Sequence, residues 1–130
     1  MVDDEVALAN TLAQRLKIRN LEVETVYDGE SALSRIEKEE PDVMVLDLRM
    51  PGIQGMEVLR EVKKNHPSIQ VIILTGHGTD KEEEEAKLLG GFCFLKKPAD
   101  IETLAEQIKG AFSEKCAGNP PGLSQQTETA

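Results

Sequence analysis

The chain has 130 residues, of which 39% are hydrophobic and 30% charged, with a formal net charge of −9. That is about one domain, long enough to bury a core, and its excess of acid argues against a grip on a nucleic-acid backbone, which needs clustered Lys and Arg. No apolar run approaches the ~20 residues of a membrane span, and the start Met1-Val2-Asp3-Asp4-Glu5 has neither the basic nor the apolar stretch of a signal peptide.

Helical and strand-like patterns alternate along the chain. Leu8, Leu12 and Leu16 recur every four residues beside Ala9 and Ala13, which predicts a first helix. Residues 21–26 alternate apolar and polar, as a strand does. Asp28-Gly29 turns the chain into a second helical stripe of Ala32, Leu33 and Ile36, ended by Pro41. Val43-Met44-Val45-Leu46 is an apolar run suited to a strand covered on both faces, and it stops at Asp47. Met56, Leu59 and Val62 mark a third helix, stopped near Pro67, where His66 reads as a solvated turn residue. Val71-Ile72-Ile73-Leu74 predicts another buried strand, ending at Thr75-Gly76. Residues 81–89 read as a helix with residues 82–85 facing water. Phe92-Cys93-Phe94-Leu95 predicts a further strand, with Cys93 a small core residue, and the run ends at Lys97-Pro98. Ile101, Leu104, Ala105, Ile108, Ala111 and Phe112 recur at helical spacing. The two cysteines, Cys93 and Cys116, have no metal-ligand spacing and make no disulfide framework.

Past Cys116 the composition turns polar and Pro-Gly-rich. Residues 1–116 are therefore read as one domain and 117–130 as a disordered tail. Strands separated by helices imply a parallel sheet with helices on both faces, and function in such folds sits at the carboxyl ends of the strands. Asp3 and Asp4 follow Val2, Asp47 follows Leu46, Thr75 follows Leu74, and Lys97 comes two residues after Leu95. Converging carboxylates repel, and a hard divalent cation such as Mg2+ relieves the repulsion. A carboxylate beside such an ion can attack phosphorus, and a Lys ammonium and a Thr hydroxyl can hold the phosphoryl oxygens.

This constellation resembles the receiver domain of two-component response regulators. The matching stretches are Val2-Asp3-Asp4-Glu5, Val45-Leu46-Asp47-Leu48-Arg49-Met50-Pro51-Gly52, Leu74-Thr75-Gly76-His77-Gly78 and Phe94-Leu95-Lys96-Lys97-Pro98. The resemblance covers roughly residues 2–112. It implies a flavodoxin-like three-layer α/β sandwich whose parallel five-stranded sheet has the order 2-1-3-4-5. It implies that Asp47 accepts a phosphoryl group from a sensor histidine kinase or phosphotransfer protein. Asp4, Asp47, the Arg49 carbonyl and, through water, Asp3 would hold Mg2+. Lys97 would contact the phosphoryl oxygens, and Thr75 would shift toward them and let Phe94 turn inward. The Lys97-Pro98 bond is expected to be cis. Residues 81–89, 91–95 and 101–112 would form the face read by a downstream protein target or by a second receiver. The resemblance also implies a cytoplasmic protein that phosphorylates and dephosphorylates itself with Mg2+ rather than turning over a substrate conventionally. Direct nucleic-acid binding and a membrane are not expected, and no output domain follows in this sequence, which fits a stand-alone regulator or a fragment of a longer one.

Each assignment has a plainer rival. Asp47 could open a turn, Lys97 and Lys96 could be ordinary surface lysines, Thr75 a cap and Phe94 a core residue. Arg49 and His77 stand two residues past Asp47 and Thr75, where the family tunes phosphoryl lifetime. The main departure is the first strand, where only Met1 and Val2 precede the aspartates. Each missing ladder bond forfeits about 1 kcal/mol and each missing buried side chain about 1.5–3 kcal/mol. The competing function is therefore an interaction module that works without phosphorylation because its metal site is disabled. A haloacid-dehalogenase-type phosphatase is disfavoured because Arg49 stands where it would carry a second Asp.

Overall fold

The computed structural model describes residues 1–50, 52–76 and 78–117. His77 and the expected tail beyond Ala117 lie outside them. The elements run α1 (Val6–Ile18), α2 (Gly29–Lys38), β1 (Val43–Leu46), α3 (Gly55–Asn65), β2 (Gln70–Thr75), α4 (Asp80–Leu88), β3 (Cys93–Lys96) and α5 (Ile101–Ala117). The strands form a parallel sheet in the order β1-β2-β3, with Val45 opposite Ile72 and Ile73 opposite Phe94. Parallel strands have to be joined by crossovers, and α3 and α4 supply them.

Both faces of the sheet are covered, and this is why its strands read as continuous apolar runs. Met44, Leu46, Val71 and Ile73 pack on one face with Ala32 and Ile36 of α2 and with Val58, Leu59 and Val62 of α3. Val45, Ile72 and Leu74 pack on the other with Leu16 of α1 and with Leu104, Ala105 and Ala111 of α5. The period-2 alternation of each strand feeds two separate clusters, and the result is a three-layer α/β sandwich.

The expectation of five strands needs correction. Residues 21–26 form no continuous strand; the first strand is truncated to Val2, as the short run before Asp3 led one to expect. What remains are two parallel bridges, Val2 to Val26 and Val2 to Leu46. Val2 donates to the Val45 carbonyl (2.7 Å) and accepts from the Asp47 N–H (3.0 Å), while the Asp3 N–H reaches the Val26 carbonyl (3.2 Å). The connectivity thus follows the expected order. The alternating pattern of residues 21–26 lacks a long enough neighbour to pair with, and a strand needs a neighbour as well as a pattern.

Two side-chain expectations also change. His66 is not a solvated residue: its ring bonds Glu37 (2.9 Å) and Glu40 (2.5 Å), and its side chain is only 13% exposed. In α4, Glu82 does not simply face water, because it caps its own helix and pairs with Arg49 (3.0 Å). Cys93 packs beside the second cluster, and burial pushes its thiol up to about 12, which keeps it protonated and inert.

Candidate functional site

Asp47 follows β1 directly and is 5% exposed. Its backbone is held by the bond to Val2 on one side and by the tight turn into α3 on the other. Gly55 opens α3 so close to Asp47 that a Cβ there would run into the Asp47 carbonyl oxygen and the Leu48 backbone. The Gly55 N–H donates to the Leu48 carbonyl (3.0 Å), closing the loop. A residue with any side chain at position 55 would push the loop away from Asp47.

Asp3 reaches the same place from the end of its single-residue bridge and is almost fully buried. Its Oδ1 accepts the Glu5 N–H (2.9 Å). Asp4 is more open. Carboxylate oxygens of Asp3, Asp4 and Asp47 all lie within 4.8 Å of one another. Lys97, from the segment after β3, brings its Nζ into this group. It donates to Asp3 Oδ2 (2.7 Å), Glu5 Oε1 (2.7 Å) and Asp47 Oδ2 (3.2 Å). The Lys97 N–H donates to the Thr75 carbonyl (2.9 Å), which ties the ends of β2 and β3 together. The Lys97-Pro98 bond is cis, as the resemblance implies.

The charges do not balance within this cluster. Burial pushes the Asp3 carboxyl up from its ordinary value, against the pull of Lys97 and the Glu5 N–H. Burial pulls the Lys97 ammonium down, but its bonds to Asp3 and Glu5 and the charge of Asp47 outweigh this and hold it above the usual lysine range. The Asp3 direction reflects burial and the Lys97 direction its carboxylate neighbours; independently of either, one ammonium stands among the carboxylates of Asp3, Asp4, Glu5 and Asp47. An oxygen-only donor set with uncompensated negative charge suits a hard divalent cation such as Mg2+ and not a thiol- or imidazole-seeking metal. Asp3, Asp4 and Asp47 are the residues that fit it.

The other expected residues take up the surroundings. The Arg49 N–H donates to Asp47 Oδ1 (3.2 Å), which puts the Arg49 backbone beside the site, while its guanidinium reaches out to Glu82 of α4. Thr75 ends β2 and is fully buried. Phe94 is half-buried beside the first cluster, and its ring lies so close to Gly78 that a Cβ there would strike it. Three participants were not singled out from the sequence. Glu5 was legible as the third acid of the run that opens the chain. Gly55 and Gly78 carry no local signal, because their importance lies in what other segments bring against them.

The model of the response regulator receiver domain matches residues 1–109. The chain belongs to this family. Over 113 residues it is 33% identical to the DNA-binding transcriptional regulator NtrC of Salmonella typhimurium, covering 87% of this chain and 24% of that protein. The transcriptional regulatory protein TrcR of Mycobacterium tuberculosis is 31% identical over 85% of this chain and 43% of its own length. The crystal structure of a receiver domain protein from Clostridium thermocellum superposes with a TM-score of 0.84 at 34% identity, covering 89% of this chain and 94% of that one. A CheY-like receiver from Methanospirillum hungatei gives 0.87 at 26% identity, with 91% and 94% covered. The receiver thus spans a quarter to less than half of these curated relatives.

That fraction corrects the expectation about nucleic acid. Those relatives are named as DNA-binding and transcriptional regulators, in which the receiver is one portion of a longer chain. The acidic balance of this segment describes the receiver's own surface and carries no information about what a full regulator contacts. Among the described residues no helix is long and apolar enough to cross a membrane.

Proposed function

We propose that Asp47 is the phosphoryl acceptor of this receiver and that the reaction depends on Mg2+ held by Asp3, Asp4 and Asp47. One observation carries the reading: a buried carboxylate at a strand end, 3.2 Å from the Lys97 ammonium, within a cluster of three aspartates. An Asp47 carboxylate oxygen attacks phosphorus, the P–N bond of a phosphohistidine breaks, and the imidazole leaves with the electron pair and takes up a proton. Mg2+, when bound, supplies positive charge against the incoming phosphoryl oxygens. Lys97 is freed from part of its carboxylate load and turns its donors to the phosphoryl group. Thr75 offers a hydroxyl at the neighbouring strand end, and its movement lets Phe94 turn inward from its place beside Gly78 and alter the α4, β3 and α5 face. The cytoplasm is the compartment this role requires, since the kinase substrate forms there.

The interaction module with a disabled metal site is not favoured, because Val2 alone is enough to bring Asp3 and Asp4 to Asp47. The test is the intact mass after incubation with acetyl phosphate and Mg2+. One added phosphoryl group, lost without Mg2+ and lost in Asp47→Asn, is the expected result. A folded protein that gains no mass would refute the reading.

A further inference from the structure

We infer that Glu5 is the partner Lys97 gives up when a phosphoryl group arrives, and that it acts as a brake on the phosphorylation of Asp47. The inference rests on the reading of Asp47 and Lys97 above and adds to it a residue that sets the rate.

A lysine ammonium has three N–H donors and no acceptor. In this site all three are engaged, by Asp3 Oδ2 (2.7 Å), Glu5 Oε1 (2.7 Å) and Asp47 Oδ2 (3.2 Å). A phosphoryl oxygen is a further acceptor, so Lys97 has to release a partner to meet it. The three are not equally easy to release. The side chains of Asp3 and Asp47 are 2% and 6% exposed, that of Glu5 60%. Taking the ammonium from a buried carboxylate leaves a charge that water cannot reach. An exposed carboxylate rehydrates, and an ion pair of that kind contributes little. Asp3 and Asp47 also belong to the three aspartates that fit a divalent cation, whereas Glu5 lies outside that group. Positive charge supplied there answers Asp3 and Asp47 and leaves Glu5 as the acceptor still competing for Lys97.

The local structure shows that the Glu5 side chain does not serve its helix. Glu5 stands at the N-cap of α1, a position that favours Ser, Thr, Asp or Asn because a short side chain can accept a free N–H of the first turn. The Glu5 side chain makes no such bond. Its backbone N–H donates to Asp3 Oδ1 (2.9 Å), which fixes the residue beside the site, and its carboxylate turns to Lys97, 92 positions away in the chain.

The test compares the native chain with Glu5→Gln, Glu5→Asp and Lys97→Gln, and with Glu5→Gln combined with Lys97→Gln, by intact mass against time in acetyl phosphate and Mg2+. In this reaction an Asp47 oxygen–phosphorus bond forms, the P–O bond to the acetyl group breaks, and acetate leaves with the electron pair. Glu5→Gln should be phosphorylated about two- to fivefold faster, the range that an exposed ion pair supports. Glu5→Asp keeps the charge but is one methylene too short for Lys97, and it should be faster to a similar extent. In the Lys97→Gln background, Glu5→Gln should change nothing. A disturbed fold would slow the reaction, not speed it. Without phosphodonor or Mg2+, the 1H–15N signal of the Lys97 ammonium should be protected from solvent exchange in the native chain and exchange faster in both Glu5 variants. A native or lowered rate in Glu5→Gln, a native rate in Glu5→Asp, an equal gain in the Lys97→Gln background, or unchanged exchange would each overturn the inference while leaving Asp47 as the acceptor. A native chain that gains no phosphoryl mass refutes the function itself, and the brake with it.

Discussion

At the scale of single residues, the site depends on how closely backbones approach. Gly55 is the clearest case, since its missing Cβ leaves room for the Asp47 carbonyl. Gly55→Ala should destabilise the fold by about 1–3 kcal/mol, the usual range for overpacking, and should slow phosphorylation because Asp47 is displaced with the loop. A shifted urea midpoint and a lower rate with acetyl phosphate would check this. His66 makes a second residue-scale prediction. Hydrogen bonds to Glu37 and Glu40 raise its pKa above the ordinary 6.5. A raised folded pKa means the imidazolium is stabilised by folding. Its contribution is fully present below the unfolded value and is lost as pH rises through the raised folded value. Urea midpoints measured between about pH 6 and about pH 8 should fall more for the native chain than for His66→Asn. Parallel curves would show that the two glutamates do not hold the charged ring.

At the scale of elements, the helices were legible because their apolar spacing is periodic and their packing agrees with it. Ala9, Ala13 and Leu16 of α1 are buried as the spacing predicts. The start of α4 was also legible, though unused. Thr79-Asp80-Lys81-Glu82 carries the capping-box pattern, and the structure shows Thr79 accepting the Glu82 N–H (3.1 Å) while Glu82 accepts the Thr79 N–H (3.1 Å). The same Glu82 oxygen takes the Arg49 guanidinium. The cap therefore links the loop after Asp47 to the first turn of α4. Thr79→Ala should lower stability by about 1 kcal/mol, seen as an earlier thermal midpoint, and should raise amide exchange first in α4. What sequence could not supply at this scale is partnership: residues 21–26 have a strand's alternation and yet pair only through Val26.

At the scale of the whole molecule, the convergence of Asp3, Asp4, Asp47, Thr75 and Lys97 followed from apolar runs that each end in a polar residue, whereas the sheet order came from the resemblance to receiver domains. Where those runs are buried on both faces, the strand ends have to share one rim. The truncated first strand was legible in the two residues before Asp3, but the loss of pairing along residues 21–26 was not, because it depends on the length of that neighbour. One bridging residue, Val2, fixes both Asp3 and Asp47, so the site survives where the ladder does not. The central claim is that Asp47, and not its neighbours in the cluster, carries the phosphoryl group. Reduction of the phosphorylated chain with borohydride converts an acyl-phosphate aspartate to homoserine, and peptide sequencing by mass spectrometry then locates it. The account predicts homoserine at position 47 alone; homoserine at position 3 or 4, or at none of the three in a chain that has gained phosphoryl mass, would contradict it.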